Sequence, residues 1–429
     1  MSIARALGTG RVDVAIIADD LTGAADSGVQ LARSGYRTAV AFRGVEIPPT
    51  KDLDAVAVDT DSRSLPAGFA AKRVVEAGHA VRDARIVYKK IDSTLRGPVG
   101  AELAAALGAT RRSKVVVAPA FPSAGRTTVD GAQLVRGVPV HETGLSKDPV
   151  TPVLESHIPS LLSHAFHSIV TLSVTNVRNG EPVRDALESN VCIVADAESD
   201  TDLEALVRAV PDPSSVLWVG SAGLARALSK VHPGPRDGIP SGVLAPVSGV
   251  LAVVGSVNEV AREQLRRLTE EPGVAAMPLD TVALVTGSYE VLGEAEEDLR
   301  TALSGSRGAV LYPKAGEEVN RALCEAPISG EEVSGRIADA LASIVAGLSG
   351  EDLFDALVLT GGDTAVRVAR SLGATGILLE GEVEAGVPVG TLIGPRPYRV
   401  VTKAGGFGDP ETLRDAFRAL VEPRENGEA

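Results

Sequence analysis

The stretch LVLTGGDTA at residues 357–365 joins an apolar strand, two glycines and the start of a predicted helix without any spacer. Glycine lets backbone N–H groups approach an anion because it has no β-carbon, and a helix N-terminus adds partial positive charge. A second segment of this kind, KAGGFG at residues 403–408, also follows a predicted strand. Two diglycine turns at strand ends predict a place that holds the phosphates of a nucleotide.

Short apolar strands alternate with amphipathic helical segments through almost the whole chain. Val12–Ala18 precedes the helical pattern Ala24–Ser34, for example, and Val250–Val254 precedes Glu259–Thr269. This alternation is typical of a mostly parallel sheet with helices on its faces. We therefore predict the α/β class, with a β-rich patch at Gly376–Ile393.

The length of the chain and one Pro/Gly-rich segment predict two domains. At 429 residues the chain exceeds the usual size of a single core. Residues 232–248 (HPGPRDGIPSGVLAPVS) concentrate Pro, Gly and Ser and have no periodic apolar pattern. We predict domains at residues 1–232 and 249–429, a linker at 233–248, and an interdomain cleft for ligands.

Composition narrows the classes of partner. Lys and Arg total 42 against 56 Asp and Glu, so a net charge of −14 repels nucleic-acid backbones and predicts no nucleic-acid partner. The longest apolar runs are far too short to cross a bilayer, so no membrane partner is expected. Cys192 and Cys324 have no metal or redox spacing, and no signal peptide is recognisable. We predict a cytoplasmic protein with small-molecule ligands, and we leave a homodimer open.

Three strand ends in the second domain carry glycine or small polar residues, at 255–258, 361–364 and 405–408. Ligands of open parallel sheets bind at the carboxyl ends of strands, so these turns are expected to line one crevice. Asp363 would either cap its helix or hold Mg²⁺, and the sequence leaves both open. Neither a GxxxxGK[ST] phosphate loop nor a GxGxxG between strand and helix occurs, which disfavours P-loop and dinucleotide-binding enzymes.

Strand ends in the first domain carry charge instead of glycine. Arg and Lys would pair with the carboxylate of a small polyhydroxy acid, while Asp and Ser would bind its hydroxyls. The alternative is a set of solvated loop charges and helix caps. The predicted substrate-binding residues are Asp19, Asp20, Arg63, Lys90, Asp92, Ser93 and Arg96.

Taken together, these segments resemble the four-carbon acid sugar kinase family. The matching segments are ADDLTGA (18–24), KKIDSTLRG (89–97), APAFP (118–122), GRT (125–127), GSAGL (220–224), GGDTA (361–365) and KAGGFG (403–408). The resemblance implies an N-terminal acid-sugar-binding domain and a C-terminal ATP-binding domain. One departure is Asn258, which stands where a second Ser of a Gly-Ser-x-Ser turn is expected. Residues 127–140 look more like the threonate-type members.

The resemblance also implies the reaction, which is ATP-dependent phosphorylation of the terminal C4 hydroxyl of D-threonate or D-erythronate, with Mg²⁺. By this likeness ATP contacts fall on Ser256, Gly361, Gly362, Asp363, Thr364 and Gly405, to which the second diglycine turn adds Gly406. Asp20 is the predicted group that orients or deprotonates the attacking hydroxyl, and Asp19 and Asp92 are the alternative candidates for this role. No metal ligand is assigned.

Three alternatives stay open at this point. A 3-oxotetronate 4-kinase would share every motif, and a nucleotide-gated acid-sugar sensor would use both pockets without transfer. A dehydrogenase acting on hydroxy acids is disfavoured by the missing dinucleotide fingerprint.

Overall fold

The computed structural model describes residues 12–44, 52–148, 150–238, 247–256, 258–286, 288, 290–316, 319, 321 and 329–421. Val257 of the first glycine turn, Cys324 and half of the predicted linker, residues 239–246, therefore lie outside the described residues. The chain divides into two compact units, Met1–Ile239 and Pro240–Ala429. Over the described ranges no helix combines the length and apolar character needed to cross a bilayer.

Unit 1 alternates strands and helices around one sheet. Its elements in chain order are β1 Val14–Ala18, α1 Leu21–Arg33, β2 Thr38–Ala41, β3 Ala55–Asp59, α2 Ala67–Val81, β4 Ile86–Lys90, α3 Val99–Thr110, β5 Lys114–Ala118, β6 Arg126–Val129, β7 Ala132–Val135, β8 Val138–Pro139, α4 Ile158–Leu162, β9 Ile169–Leu172, α5 Val174–Asn179, α6 Glu181–Ser189, β10 Cys192–Ala195, α7 Asp200–Ala209, β11 Val216–Gly220 and α8 Ala222–Val231.

The main sheet of unit 1 has the order β2-β3-β1-β4-β11-β5-β10-β9, and neighbouring strands are parallel. All five residues of β1 are buried, as are those of β3 and β4. Such strands are covered by helices on both faces, which explains their continuous apolar sequences. Strands β6, β7 and β8 form a separate, small antiparallel sheet.

Unit 2 repeats the alternation. Its elements are β12 Val250–Val254, α9 Glu259–Thr269, β13 Val274–Leu279, α10 Thr281–Thr286, α11 Glu290–Gly305, β14 Gly308–Pro313, α12 Gly330–Gly347, β15 Ala356–Thr360, α13 Gly362–Ser371, β16 Gly376–Glu384, β17 Val387–Ile393, β18 Arg399–Lys403 and α14 Thr412–Val421.

The sheet of unit 2 has the order β13-β14-β12-β15-β18-β17-β16. The first five strands are parallel, whereas β16 and β17 form an antiparallel hairpin that continues antiparallel to β18. The predicted α/β class with mostly parallel sheets is therefore confirmed, and the β-rich patch is this hairpin. The last helix begins at Thr412, after a turn in which Asp409 accepts hydrogen bonds from the N–H groups of Glu411 and Thr412.

Candidate functional site

Strands β3, β1 and β4 are neighbours, so the segments that follow them meet at one edge of the unit 1 sheet. Asp19 and Asp20 follow β1, Arg63 follows β3, and residues 91–96 follow β4, whose last residue is Lys90. The carboxyl ends of parallel strands lie side by side, which is why three distant segments come together here. This edge holds every residue that the sequence predicts for substrate binding.

Arg63 binds two carboxylates at once. Its Nε and Nη2 donate to the two oxygens of Asp19 at 2.8 and 2.9 Å, while Nη1 and Nη2 donate to those of Asp20 at 2.6 and 2.7 Å. The planar guanidinium suits such forked contacts. Most of the hydrogen-bonding capacity of Arg63 is therefore used inside the protein.

The electrostatics of the site favour the ionised forms of Asp19 and Arg63. Burial alone would raise the pKa of Asp19, but the positive charges of Arg63, Lys89 and Lys90 outweigh it and hold that pKa below its ordinary value. Burial would likewise lower the pKa of Arg63, whereas Asp19, Asp20 and Asp92 raise it well above the usual value. The site thus keeps the buried carboxylate of Asp19 charged by surrounding it with cations.

Asp20 has a second role as the N-cap of α1. Its carboxylate accepts from the backbone N–H of Gly23 at 2.8 Å and from the hydroxyl of Thr22 at 2.6 Å. A β-carbon on Gly23 would lie 2.6 Å from Oδ1 of Asp20 and 2.8 Å from Nζ of Lys90. Glycine at this position therefore lets the Lys90 ammonium and the Asp20 carboxylate share one small space.

The segment after β4 forms the other side of the edge. Nε of Arg96 donates to Oδ2 of Asp92 at 2.6 Å, and Thr94 donates to the same oxygen. Burial would raise the pKa of Asp92, but Arg96, Arg63 and Lys90 keep it well below its ordinary value. Ser93 is held through its carbonyl, which accepts from Nε2 of Gln133 at 2.7 Å. Because Gln133 lies on β7, the small antiparallel sheet covers this segment.

A buried charge pair that was not predicted from the sequence lies beside the site. Lys89 Nζ lies 2.8 Å from Oε2 of Glu102, and both side chains are almost wholly buried. Oε1 of Glu102 accepts from the hydroxyl of Ser62 at 2.5 Å. Consecutive strand residues point to opposite faces, so the pair Lys89-Lys90 implies that one lysine points toward a covering helix. That signal could have identified a buried acid on α3.

The glycine turns of unit 2 also converge, because β12, β15 and β18 are consecutive in the sheet. A β-carbon on Gly255 would lie 1.9 Å from Oγ1 of Thr364, and one on Gly405 would lie 2.3 Å from Oγ of Ser256. Gly361 is also close, with its β-carbon position 3.8 Å from the nitrogen of Ser256. The structure therefore brings Ser256, Gly361, Thr364 and Gly405 together, as the sequence predicts.

Helix α13 begins directly in this crevice. Gly361 is its N-cap with a φ of 94°, a left-handed conformation that favours glycine, and it offers no side-chain cap. The N–H groups of the first turn, which includes Gly362 and Asp363, have no acceptor within the helix. This arrangement leaves donors and partial positive charge for an anion.

Asp363 does not cap the helix, so that option for its role is wrong. It lies within the first turn, its side chain is mostly exposed, and its carboxylate pairs with Nε of Arg367 at 3.0 Å. Gly361 takes the cap position because the tight turn after β15 needs a positive φ that Asp would adopt only with strain.

Lys403 and Gln264 hold the second diglycine turn from inside. The buried Nζ of Lys403 donates to the carbonyls of Ala404 at 2.7 Å, Gly405 at 3.2 Å and Phe407 at 2.8 Å. Gln264 on α9 donates to the carbonyls of Phe407 at 3.0 Å and Asp409 at 2.6 Å. Burial lowers the pKa of Lys403 to about 8, which the nearby Glu384 only partly opposes. Lys403 therefore stabilises the turn from inside. The contact of Gln264 with this turn was not predicted from the sequence.

Asn258, the departure from the expected turn, is the N-cap of α9. Its Oδ1 accepts from the N–H of Val260 at 2.9 Å, while its own N–H donates to Oγ of Ser256 at 3.4 Å. A β-carbon on Gly406 would lie 3.5 Å from Nδ2 of Asn258. Asn258 therefore caps α9 and lies next to Gly406, the second glycine of the turn that follows β18.

Across the described ranges, no group of three or more His, Cys, Asp or Glu could hold a metal ion.

Each of the two units matches a separate protein family. Residues 14–228 match the family described as Sugar-binding N-terminal domain, and residues 251–413 match Nucleotide-binding C-terminal domain. The charged edge of unit 1 falls within the first match, and the glycine turns of unit 2 fall within the second.

Curated relatives are similar over nearly their whole length. A D-threonate kinase of Salmonella typhimurium is 35% identical over 95% of this chain and 98% of its own. A D-erythronate kinase of Heliobacterium modesticaldum is 32% identical over 93% and 95%. A 3-oxo-tetronate kinase of Methylobacterium radiotolerans is 34% identical over 94% and 98%.

A solved structure shares the architecture. The chain from Salmonella typhimurium LT2, which carries a provisional tRNA synthase description, has a TM-score of 0.78 and 25% identity. The match covers 95% of this chain and 99% of that one. Given the two family matches and the full-length relatives, the chain belongs to the four-carbon acid sugar kinase family.

Proposed function

We propose that this protein transfers the γ-phosphoryl group of ATP to the terminal C4 hydroxyl of a four-carbon acid sugar, D-threonate or D-erythronate. The observation that carries the proposal is the full-length similarity to a D-threonate kinase. Two features of the structure support it. Unit 1 offers a charged edge suited to a hydroxy acid, and unit 2 offers a glycine-lined edge suited to phosphates.

The residues of unit 2 fit a nucleotide. Gly255 and Gly405 lie so close to the side chains of Thr364 and Ser256 that a β-carbon would clash at either position, so glycine lets the turns pack tightly against one another beside α13. The first turn of α13 supplies N–H donors beside these glycines. We assign ATP binding to Ser256, Gly361, Gly362, Asp363, Thr364, Gly405 and Gly406.

Mg²⁺ is the expected companion of ATP, and it neutralises phosphate charge when bound. Protein sites for this ion commonly supply one or two carboxylates and leave the remaining positions to water and phosphate. Asp363 fits that requirement, since its carboxylate is exposed and lies at the first turn of α13. Arg367, which pairs with the Asp363 carboxylate, would have to share that carboxylate with the ion.

In unit 1 we assign the acid sugar to Asp19, Asp20, Arg63, Lys90, Asp92, Ser93 and Arg96. Phosphoryl transfer depends chiefly on positioning and charge stabilisation, and its base mainly orients the attacking hydroxyl. Asp20 suits that task because it is less buried than Asp19, with 22% of its side chain exposed against 3%. Arg63 and the N-terminus of α1 keep its position fixed.

The test is a kinase assay in which the purified protein is incubated with Mg²⁺, ATP and one candidate acceptor at a time. D-threonate, D-erythronate, L-threonate and 3-oxotetronate serve as acceptors, and ADP release is measured. We expect ADP release that depends on D-threonate or D-erythronate, with a product that carries phosphate at C4 by ³¹P NMR. Binding of the acids without ADP release would instead indicate a sensor.

A 3-oxotetronate 4-kinase is the second candidate. Identity to the Methylobacterium relative, at 34%, nearly equals that to the Salmonella one, at 35%. A value of kcat/KM for 3-oxotetronate above those for both tetronates would decide for this candidate.

A further inference from the structure

Lys403, the last residue of β18, is a deeply buried cation that is held by main-chain groups. It is 1% exposed, and within the described chain its Nζ donates to the carbonyls of Ala404, Gly405 and Phe407. Glu384 acts on Lys403 through its charge, without a hydrogen bond to it. An ammonium has three donors, so these three acceptors, which we call the inward carbonyls, occupy all of them.

This arrangement separates Lys403 from the lysine of a phosphate loop, whose ammonium reaches the phosphates directly. The donors of Lys403 point into the second diglycine turn, and the residue is buried. Any effect of Lys403 on a ligand must therefore be exerted through the turn that it holds.

The inward carbonyls fix the direction of the N–H groups that follow them. In a planar trans peptide unit, the carbonyl of one residue and the N–H of the next point in opposite directions. The N–H groups that point away from Nζ of Lys403 are therefore those of Gly405, Gly406 and Gly408. Among the described residues none accepts a hydrogen bond from these three N–H groups, and Gly406 and Gly408 are exposed. One short turn thus directs three donors outward.

Gln264 on α9 holds the same turn from another side. Its Nε2 donates to the carbonyl of Phe407 at 3.0 Å and to that of Asp409 at 2.6 Å. The carbonyl of Phe407 therefore accepts from both Lys403 and Gln264. Both side chains consequently determine where the N–H of Gly408 points.

Lys403 also joins this turn to the turn that begins α13. Its main-chain carbonyl accepts from the N–H of Gly361 at 3.0 Å. The β-carbon position of Gly405 lies 2.3 Å from Oγ of Ser256, in the turn after β12. The outward N–H groups therefore belong to the edge where the three turns meet. An anion at the N-terminus of α13 would lie next to the second diglycine turn.

We propose that Lys403 is a positioning residue for nucleotide binding, which holds the inward carbonyls so that the N–H groups of Gly405, Gly406 and Gly408 are presented to the phosphates. The inference rests on the proposed function and refines it, because it assigns the phosphate contacts of this turn to main-chain donors that a buried cation orients. Gln264 assists by holding the carbonyl of Phe407. Adenine and ribose carry no anionic group, so their binding does not depend on Lys403.

The test compares the binding of MgADP and of adenosine to Lys403→Met and to wild type by calorimetry. Methionine is similar in length to lysine but has no N–H donor in its side chain. We expect the Kd of MgADP to rise about 10- to 100-fold, the scale for losing one or two hydrogen bonds to a charged group. The Kd of adenosine should stay within twofold. In the kinase assay, KM for ATP should rise by a similar factor while KM for D-threonate stays within twofold.

A merely structural role of Lys403 gives a different result. A general loss of stability, measured by urea unfolding, would weaken the binding of MgADP and of adenosine equally, and that outcome would overturn the inference. Unchanged MgADP binding in a folded Lys403→Met would overturn it as well.

Gln264→Met decides the question if Lys403→Met does not fold. It removes the donor to the carbonyls of Phe407 and Asp409 and leaves Lys403 in place. The Kd of MgADP should rise about 3- to 10-fold, the scale for an uncharged hydrogen bond, with adenosine unaffected. A folded Gln264→Met that binds MgADP as wild type does would then overturn the inference.

Arg266→Met is the matched control, since Arg266 is a largely exposed cation on α9 that pairs with Glu263 and Glu270. All constants should stay within twofold of wild type. If wild type binds MgADP but phosphorylates no tetronate, the proposed kinase activity fails, and the binding comparison still decides the role of Lys403. If wild type does not bind MgADP, both proposals fail.

Discussion

Gly405 and Ser256 are in such close contact that a β-carbon on the glycine would lie 2.3 Å from the serine hydroxyl oxygen. The two residues follow β18 and β12, which are separated in the sheet by β15. Their contact therefore spans the strand whose end carries Gly361. This contact therefore fixes the turn after β12 and the turn after β18 relative to each other.

Gly405→Ala should weaken nucleotide binding selectively. The added methyl group must displace Ser256, and a shift of about 1 Å in a site can cost roughly 100-fold. We expect KM for ATP to rise at least tenfold while KM for the acid sugar stays within twofold. Gly293→Ala is the control, since Gly293 is exposed on α11 with no atom near its β-carbon position. Equal kinetics for the two variants would contradict the assignment.

Arg63→Met should destabilise the protein. It leaves Asp19 buried without its main counter-charge, and such a loss typically costs about 3–5 kcal/mol. Urea unfolding followed by circular dichroism measures the change. Arg73→Met is the control, because Arg73 pairs with the largely exposed Asp61. Adding Asp19→Asn to Arg63→Met should restore part of the stability; no restoration would argue against a charge effect.

Asp20→Asn should reduce turnover with little loss of stability. Asparagine can still accept from the N–H of Gly23 and cap α1, whereas it cannot take a proton from the substrate. We expect kcat to fall about 100-fold or more, the scale for loss of a general base. Asp61→Asn is the control, as 64% of that side chain is exposed. Near-normal turnover in Asp20→Asn would exclude this residue and direct the same test to Asp19 and Asp92.

Lys403 should make stability depend on pH in the alkaline range. Its pKa is about 8 in the folded chain and 10.5 ordinarily, so between these values the unfolded chain binds more protons. The free energy of unfolding should therefore rise from pH 8 to 10.5, by on the order of 3 kcal/mol, and this contribution should be absent below pH 8.

The measurement for Lys403 is urea unfolding at several pH values in wild type and Lys403→Met. The difference between the two proteins should change across this range, whereas Lys314→Met, at an exposed position, should track wild type. A difference that is constant with pH would show that Lys403 does not titrate there.

Much of the architecture could be predicted from local patterns. Continuous apolar runs such as 250–254 and 356–360 identify buried parallel strands, and the glycine pairs after them mark turns. The predicted fold class and family membership are confirmed. The roles given to individual site residues, the homodimer and the cytoplasmic location stay predictions.

Partners that are remote in sequence were not predictable. Glu102 and Gln264 look like ordinary polar residues of amphipathic helices, yet each is buried against a strand end. The ion pairs of Arg63 with Asp19 and Asp20 join residues more than 40 positions apart, and nothing in the local sequence indicates them. A sequence shows that a charge is present, but it does not show which opposite charge already neutralises it.

The sequence by itself determined the strands, the turns and the kinds of chemical group at each strand end, because these depend on side-chain periodicity and on the conformational freedom of glycine. Tertiary structure alone decided which groups meet. Strand order places β3, β1 and β4 side by side and β12, β15 and β18 side by side, and this order brings Arg63 to Asp19 and Asp20. Charge pairing acts over a few ångströms in space, whatever the separation along the chain.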